Sequence, residues 1–205
     1  MSEIDDLLDT LELNEEIAKK FFEVEVSILS ILNFKDFFER LLVEIREKFL
    51  IPYVWISFIE DSESALQIRL IAASELLSQR LSLIEKSAFL PLIGNDTRPR
   101  LLNEDLKPLY RLFPPNETYL IRSIAIAPIT LDGEVIGSLN FGDPSDSRYL
   151  PGMDTTLLER LAVKVSICLS NVLAHEKLRR WAERNGAGAS DEDKLSRRIT
   201  AAAES

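Results

Sequence analysis

Asp132-Gly133 separates two apolar runs, Ser-Ile-Ala-Ile-Ala-Pro-Ile-Thr from Ser123 and Val-Ile-Gly-Ser-Leu-Asn-Phe-Gly-Asp to Asp143. No other part of the chain limits its fold as much. A two-residue hairpin turn needs positive φ at both central positions, which Asp and Gly tolerate, so the spacing predicts two antiparallel strands. Side chains alternate along a strand. The first strand therefore carries Ile121, Ser123, Ala125 and Ala127 on one face and Ile124, Ile126 and Pro128 on the other. A face lined with such small residues requires close approach by a helix or a ligand.

A long helix follows, from about Asp154 to Arg184. Leu158, Leu161, Val165, Cys168 and Val172 step by three and four, and His175 and Arg179 continue the seam as polar positions. A matching seam occurs near the start, where Ile17, Phe21, Val24, Ile28 and Ile31 repeat at heptad spacing. A second apolar row, Phe22, Val26, Leu29 and Leu32, lies beside it. A helix apolar over that width touches more than one neighbour. The seams predict a homodimer with Ile17, Phe21, Val24, Ile28, Leu161, Val165, Cys168 and Val172 at its interface. The competing reading is a wide core-facing helix in a monomer.

Between these helices the order is helix, strand, loop and strand. Asn33 is a good N-cap, with Asp36 in the first turn of a helix that carries Phe37, Phe38, Leu41, Leu42, Ile45 and Phe49 and ends before Pro52. Residues 53–60 are aromatic and β-branched and predict a strand buried on both faces. Residues 65–72 predict its partner, and Ser74 caps a helix to about Lys86. Residues 88–118 hold five prolines and predict an irregular segment. Within it Leu101-Leu102 reads as a short strand and Asp105 to Phe113 as a short helix. Residues 1–13 form an acidic leader, residues 14–180 a single domain, and residues 185–205 a tail expected to be disordered.

The run Ser123 to Phe141, with Arg148-Tyr149, Met153-Asp154-Thr155 and the Leu-Leu-Glu-Arg-Leu-Ala helix behind it, resembles the C-terminal half of a GAF domain, from about Tyr119 to Leu178. The wording from Gly137 to Asp143 is similar to a bacterial GAF-like family of unknown function. The resemblance implies an α+β fold: a central antiparallel sheet of five to six strands, with the long N- and C-terminal helices together on one face. It also implies a sensory or regulatory role, and no fused effector domain is expected in this chain.

Composition narrows the function classes. A net charge of −10 opposes nucleic acid and anionic membrane surfaces as main partners. No apolar run reaches membrane-span length. Cys168 is the single cysteine, which excludes an intrachain disulfide and fits a reducing, cytoplasmic setting. The single histidine, His175, cannot build a histidine metal cluster. No nucleophile elbow, phosphate loop or dinucleotide fingerprint occurs. The chain is expected to be non-catalytic and to need no cofactor or metal. The GAF comparison adds that bilin attachment, sulfoxide reduction, haem binding and cyclic-nucleotide binding each lack their residues here.

Ligand sensing or scaffolding remains. Trp55, Arg98, Tyr119, Arg122, Ser123, Ser138 and Asn140 are the candidate ligand-binding residues: an apolar pocket on the sheet with a few convergent polar groups and a guanidinium for an anion. Trp55 in the core, Asn140 satisfying a strand edge and Arg122 paired at the surface are the competing readings. A sensor would bind an unknown small molecule there and pass the signal through the terminal helices to an unknown protein partner. A ligand-free dimerisation or adaptor module predicts instead that Phe89, Leu92, Leu109 and Phe113 fill that face.

Overall fold

The computed structural model describes residues 3–60, 74–93, 97–113 and 120–203. The chain runs α1 (Glu3–Ile28), α2 (Phe34–Phe49), β1 (Tyr53–Ile59), α3 (Glu75–Ser78), β2 (Leu81–Ile84), α4 (Lys86–Ile93) and β3 (Arg100–Leu102). A 3-10 helix (Lys107–Arg111), β4 (Ser123–Leu131), β5 (Glu134–Asp143) and α5 (Thr156–Ala203) are the further elements among the described residues. The five strands form one sheet in the order β2-β1-β5-β4-β3. The fold is α+β.

The hairpin that anchors it forms as its turn chemistry dictates. Asp132 and Gly133 have φ of 52° and 83°, the left-handed values of a primed turn whose twist matches the strands. At Ile129/Thr130 the β4–β5 register shifts. The Thr130 N–H there donates to Ser166 Oγ on α5, 3.0 Å away, and Ser166 in turn donates to the Ala162 carbonyl. The bulge is thus tied to a helix instead of to the next strand.

Each face of the sheet carries a core. On one, Val54, Ile56, Phe58, Ala125, Ala127, Ile129, Leu139 and Phe141 pack against α1, α2 and α5. The small residues of β4 admit α5, so the close approach that they require is made by a helix. On the other, Trp55, Ile124 and Ile126 pack under Phe89, Ile93, Leu109, Leu112 and Phe113. Asn33 caps α2 through the Asp36 N–H, 3.1 Å away. At its other end Leu50 takes φ of 52°. The Arg148 guanidinium there donates to the Phe49 and Leu50 carbonyls, a cation at the negative end of the helix.

Several expectations are corrected. The edge pair β1–β2 is parallel, with Ile56 beside Leu81 and Ile59 beside Ile84, so the sheet is mixed. A parallel pair needs a long crossover, and the chain between Ile59 and Leu81 supplies one. Residues 81–84, expected within a helix from Ser74 to Lys86, form that strand, because Leu-Ser-Leu-Ile gains more from edge pairing than from helix. The strand expected over 65–72 lies outside the described residues. The acidic leader is helical from Glu3 onward and continuous with the rest of α1. Residues 185–203, expected to be disordered, continue α5 as helical backbone; Ala, five of these nineteen residues, is the strongest helix former.

The largest correction concerns the two seams. Val24, Ile28, Leu161, Val165, Cys168 and Val172 are buried in the core of their own chain. Ile17 and Phe21 are half-buried beside it. The seams face the sheet because its apolar surface is the nearest partner. The rows left outside are Phe22 and Val26 on α1, with Leu29 just past its end, and Val163, Ile167, Leu178 and Trp181 on α5, all exposed.

Candidate functional site

Three of the seven ligand candidates converge. Trp55, Ser138 and Asn140 share the sheet face opposite the long helices. The register sets Trp55 beside Asn140 and Ser57 beside Ser138. Their polar atoms are all spent on one another or on the carbonyl that ends the 3-10 helix. Trp55 Nε1 donates to the Leu112 carbonyl, and Ser57 Oγ donates to the same oxygen at 3.2 Å. Ser57 Oγ accepts from Ser82 Oγ at 2.9 Å and from Asn140 Nδ2 at 3.0 Å. Asn140 Oδ1 accepts from Ser138 Oγ at 2.9 Å, and its second N–H faces the Ser138 carbonyl at 3.4 Å. Asn140 thus uses both of its N–H donors and accepts one bond at its carbonyl oxygen. This network holds the 3-10 helix down on the sheet. Phe89, Leu109 and Phe113 are buried over the same face and Leu92 packs partly against them, as the adaptor reading predicts.

The other candidates do not join. Ser123 lies on the opposite face in line with Ala125 and donates to the Ser145 carbonyl at 2.7 Å. Strand alternation alone separates it from Asn140. Arg122 is exposed and borders a polar hollow with Lys107, Asp105 and Asp146. The opposed charges there cancel. Arg98 is exposed on the segment before β3. Tyr119 lies outside the described residues. Cys168 is buried, and burial pushes its thiol above the ordinary range against a weaker opposing pull from Lys164. It is therefore a poor nucleophile. His175 is exposed on α5.

A cavity of about 330 Å³ opens on the helix face instead, between α1, the start of α5 and the sheet. Ala125 and Phe141 belong to its floor, Ile17 and Phe21 to its α1 wall, and Leu158 to its α5 wall. Phe49, Arg148 and Tyr149 also line it. The charged groups nearby are already engaged. Arg148 pairs with Asp143 at 3.1 Å and donates to the end of α2. Asp154 accepts from the Thr156 N–H and hydroxyl at the start of α5, and these bonds hold its carboxyl below the usual range. The Tyr149 hydroxyl is different: it is buried and has no hydrogen-bond partner. Burial is the main cause that drives its pKa far above the ordinary phenol value, so it stays a neutral donor.

Sequence reasoning missed this place. Its signal lay in the residues that carried the family resemblance, because Arg148, Tyr149, Met153, Asp154 and Thr155 all line the cavity. The small-residue face of β4 pointed there as well, since Ala125 is the floor.

Among the described residues no helix is long and apolar enough to cross a membrane. No group of His, Cys, Asp and Glu among them has the arrangement of a metal site.

No curated protein matches the chain. Among solved structures, the GAF domain of A. aeolicus nlh2 in an inactive state is similar at 14% identity and a TM-score of 0.44, over 82% of this chain and 99% of that one. A family model described as "Protein of unknown function, DUF484" matches residues 1–183. The chain belongs to the DUF484 family, a GAF-like family of unknown function.

Proposed function

We propose that this protein is a non-catalytic regulatory module that acts as a homodimer through the outer face of α1 and α5. The observation that carries it is the division of each long helix into two apolar rows. The inner rows are consumed by the chain's own core, and the outer rows remain exposed. On α1 the row continues toward the N-terminus through Ile4, Leu8 and Leu11, all more than half exposed. On α5 it continues from Val163 and Ile167 to Leu178 and Trp181. Within each group (Ile4, Leu8 and Leu11; Phe22 and Val26; Val163 and Ile167; Leu178 and Trp181) the spacing is three or four residues, the pattern that two helices bury by pairing with two more.

The two helices form one surface. Glu25 on α1 is buried and bonded to Lys164 on α5. Asn14, Ile17 and Phe21 meet Leu157, Leu158 and Leu161 around the cavity, so the helices run in the same direction. Exposed apolar side chains clustered on a surface mark an interaction site. A second copy supplies a matching patch by symmetry. The closed polar network on the other sheet face favours this reading over a ligand held there.

Native mass spectrometry of the full chain tests it. The expected result is twice the chain mass, falling to the chain mass on dilution. A chain mass alone at the highest soluble concentration would overturn the proposal.

A further inference from the structure

We propose that two copies of the chain pair antiparallel, the acidic start of α1 in each docking on the basic stalk of α5 in the other. The inference rests on the dimer reading and goes further, to the direction and register of the pair. Its ground is the way α1 and α5 overlap. They run in the same direction, and the bond between Glu25 and Lys164 sets those two residues level. At 1.5 Å per residue, Ile4 stands about 20 Å beyond the start of α5, and Trp181 stands about 20 Å beyond the end of α1. The two overhangs therefore lie at opposite ends of the molecule.

Each overhang continues the outer apolar face. On α1, Glu15 and Ala18 bridge Leu11 to Phe22 in steps of four, three and four. On α5, Ser170 and Ala174 bridge Ile167 to Leu178 in steps of three, four and four. That spacing keeps each row on one side of its helix. The charges of the overhangs are opposed. Residues 3–16 hold seven acidic residues and no basic one. Residues 172–184 hold Lys177, Arg179, Arg180 and Arg184 against Glu176 and Glu183. Both of those glutamates are taken up by Arg179.

Pairing in either direction buries the central patch of Phe22, Val26, Val163 and Ile167. The overhangs decide between them. A parallel pair lays acidic arm beside acidic arm, which like charges oppose, whereas an antiparallel pair lays each arm beside opposite charge. With the two-fold axis at the middle of the patch, Leu11 in one protomer comes level with Leu178 in its partner, and Leu8 with Trp181. The same register sets Asp9 level with Arg180 and Glu12 level with Lys177. One placement thus matches the apolar rows and the charges together.

Sedimentation equilibrium of the full chain at low ionic strength tests the charges. Asp9→Lys with Glu12→Lys is expected to weaken the dimer about tenfold. Adding Lys177→Glu and Arg180→Glu to the same chain should restore it. A parallel pair reverses the first sign, because the lysines relieve repulsion between the acidic arms. Melting temperatures show that each variant is folded. A spin label tests the direction by distance. It is placed at Leu13→Cys, exposed on α1 away from the row, with Cys168→Ala to remove the native thiol. Antiparallel copies put the two labels about 40 Å apart, and parallel copies about 20 Å apart. A dimer that tightens or holds with the lysines, is not restored by the glutamates, or shows the short distance would overturn this inference and leave the dimer reading standing. A monomer at every concentration would overturn both.

Discussion

Asn140 and Tyr149 are the two polar side chains on which most depends, and they stand in opposite conditions. Asn140 is fully buried, with both N–H groups donating and its carbonyl oxygen accepting. Asn140→Ala removes the acceptor for the Ser138 hydroxyl and one donor to Ser57. Stability should fall by about 1–3 kcal/mol, read as a lower urea midpoint at unchanged slope. An unchanged midpoint would mean that the network does not hold the 3-10 helix. Tyr149 has no partner to lose. Its pKa is raised in the folded protein by burial, so ionisation is easier in the unfolded chain. The stability that this shift represents is present below the unfolded value of about 10 and is lost as pH climbs above it. Wild type should therefore lose stability above about pH 10 more steeply than Tyr149→Phe. Denaturation midpoints compared at neutral and alkaline pH check the difference between the two, since lysines and other tyrosines titrate in both.

At the scale of elements, two glycines show how one residue type serves two ends. Gly133 has φ of 83° and nothing within 4 Å of where a Cβ would sit, so Gly133→Ala meets only backbone strain, about 1 kcal/mol. Gly137 lies in β5 opposite Phe58, and a Cβ there would stand 2.4 Å from the Ser57 carbonyl. Gly137→Ala has to push β1 and β5 apart and should cost roughly 3 kcal/mol. Thermal melts of the two variants should separate clearly, and equal shifts would refute this account. The same contrast explains what was legible in the sequence. The Asp132-Gly133 turn, the Asn33 cap and the short pieces at Leu101-Leu102 and Asp105 to Phe113 all announce themselves through local chemistry, and all appear in the fold. The strand at 81–84 did not, since its preference comes from lying beside β1, a neighbour distant in sequence. The candidate site was half legible. Trp55, Ser138 and Asn140 were picked out as polar or aromatic residues in apolar strands, and they do meet. Nothing local reveals that their bonds close on one another through the Leu112 carbonyl, or that Ser123 faces the other way.

For the whole molecule, the question is which apolar row a second copy meets. Heptad spacing by itself does not decide between a core and an interface, and both rows on α1 have it. The fold decides, because Ile28 is fully buried while Val26, two residues before it, is 48% exposed. The two positions should therefore respond in opposite ways. Ile28→Ala leaves a cavity beneath α1 and should lower folding stability by about 2–5 kcal/mol, with the mass of the remaining folded protein unchanged. Val26→Glu combined with Ile167→Glu adds two like charges to a surface that is already solvated in the single chain. Folding of the monomer should change by less than about 0.5 kcal/mol, while self-association weakens sharply through burial of unpaired charge. Light scattering across a dilution series, beside urea melts taken at a concentration where all forms are monomeric, separates the two effects. Should Ile28→Ala dissociate a dimer without loss of folding stability, the inner seam would be the interface and the packing of α1 on the sheet would be wrong. Should the double variant stay dimeric, the outer rows would not be where the copies meet, and another surface would have to account for their exposure.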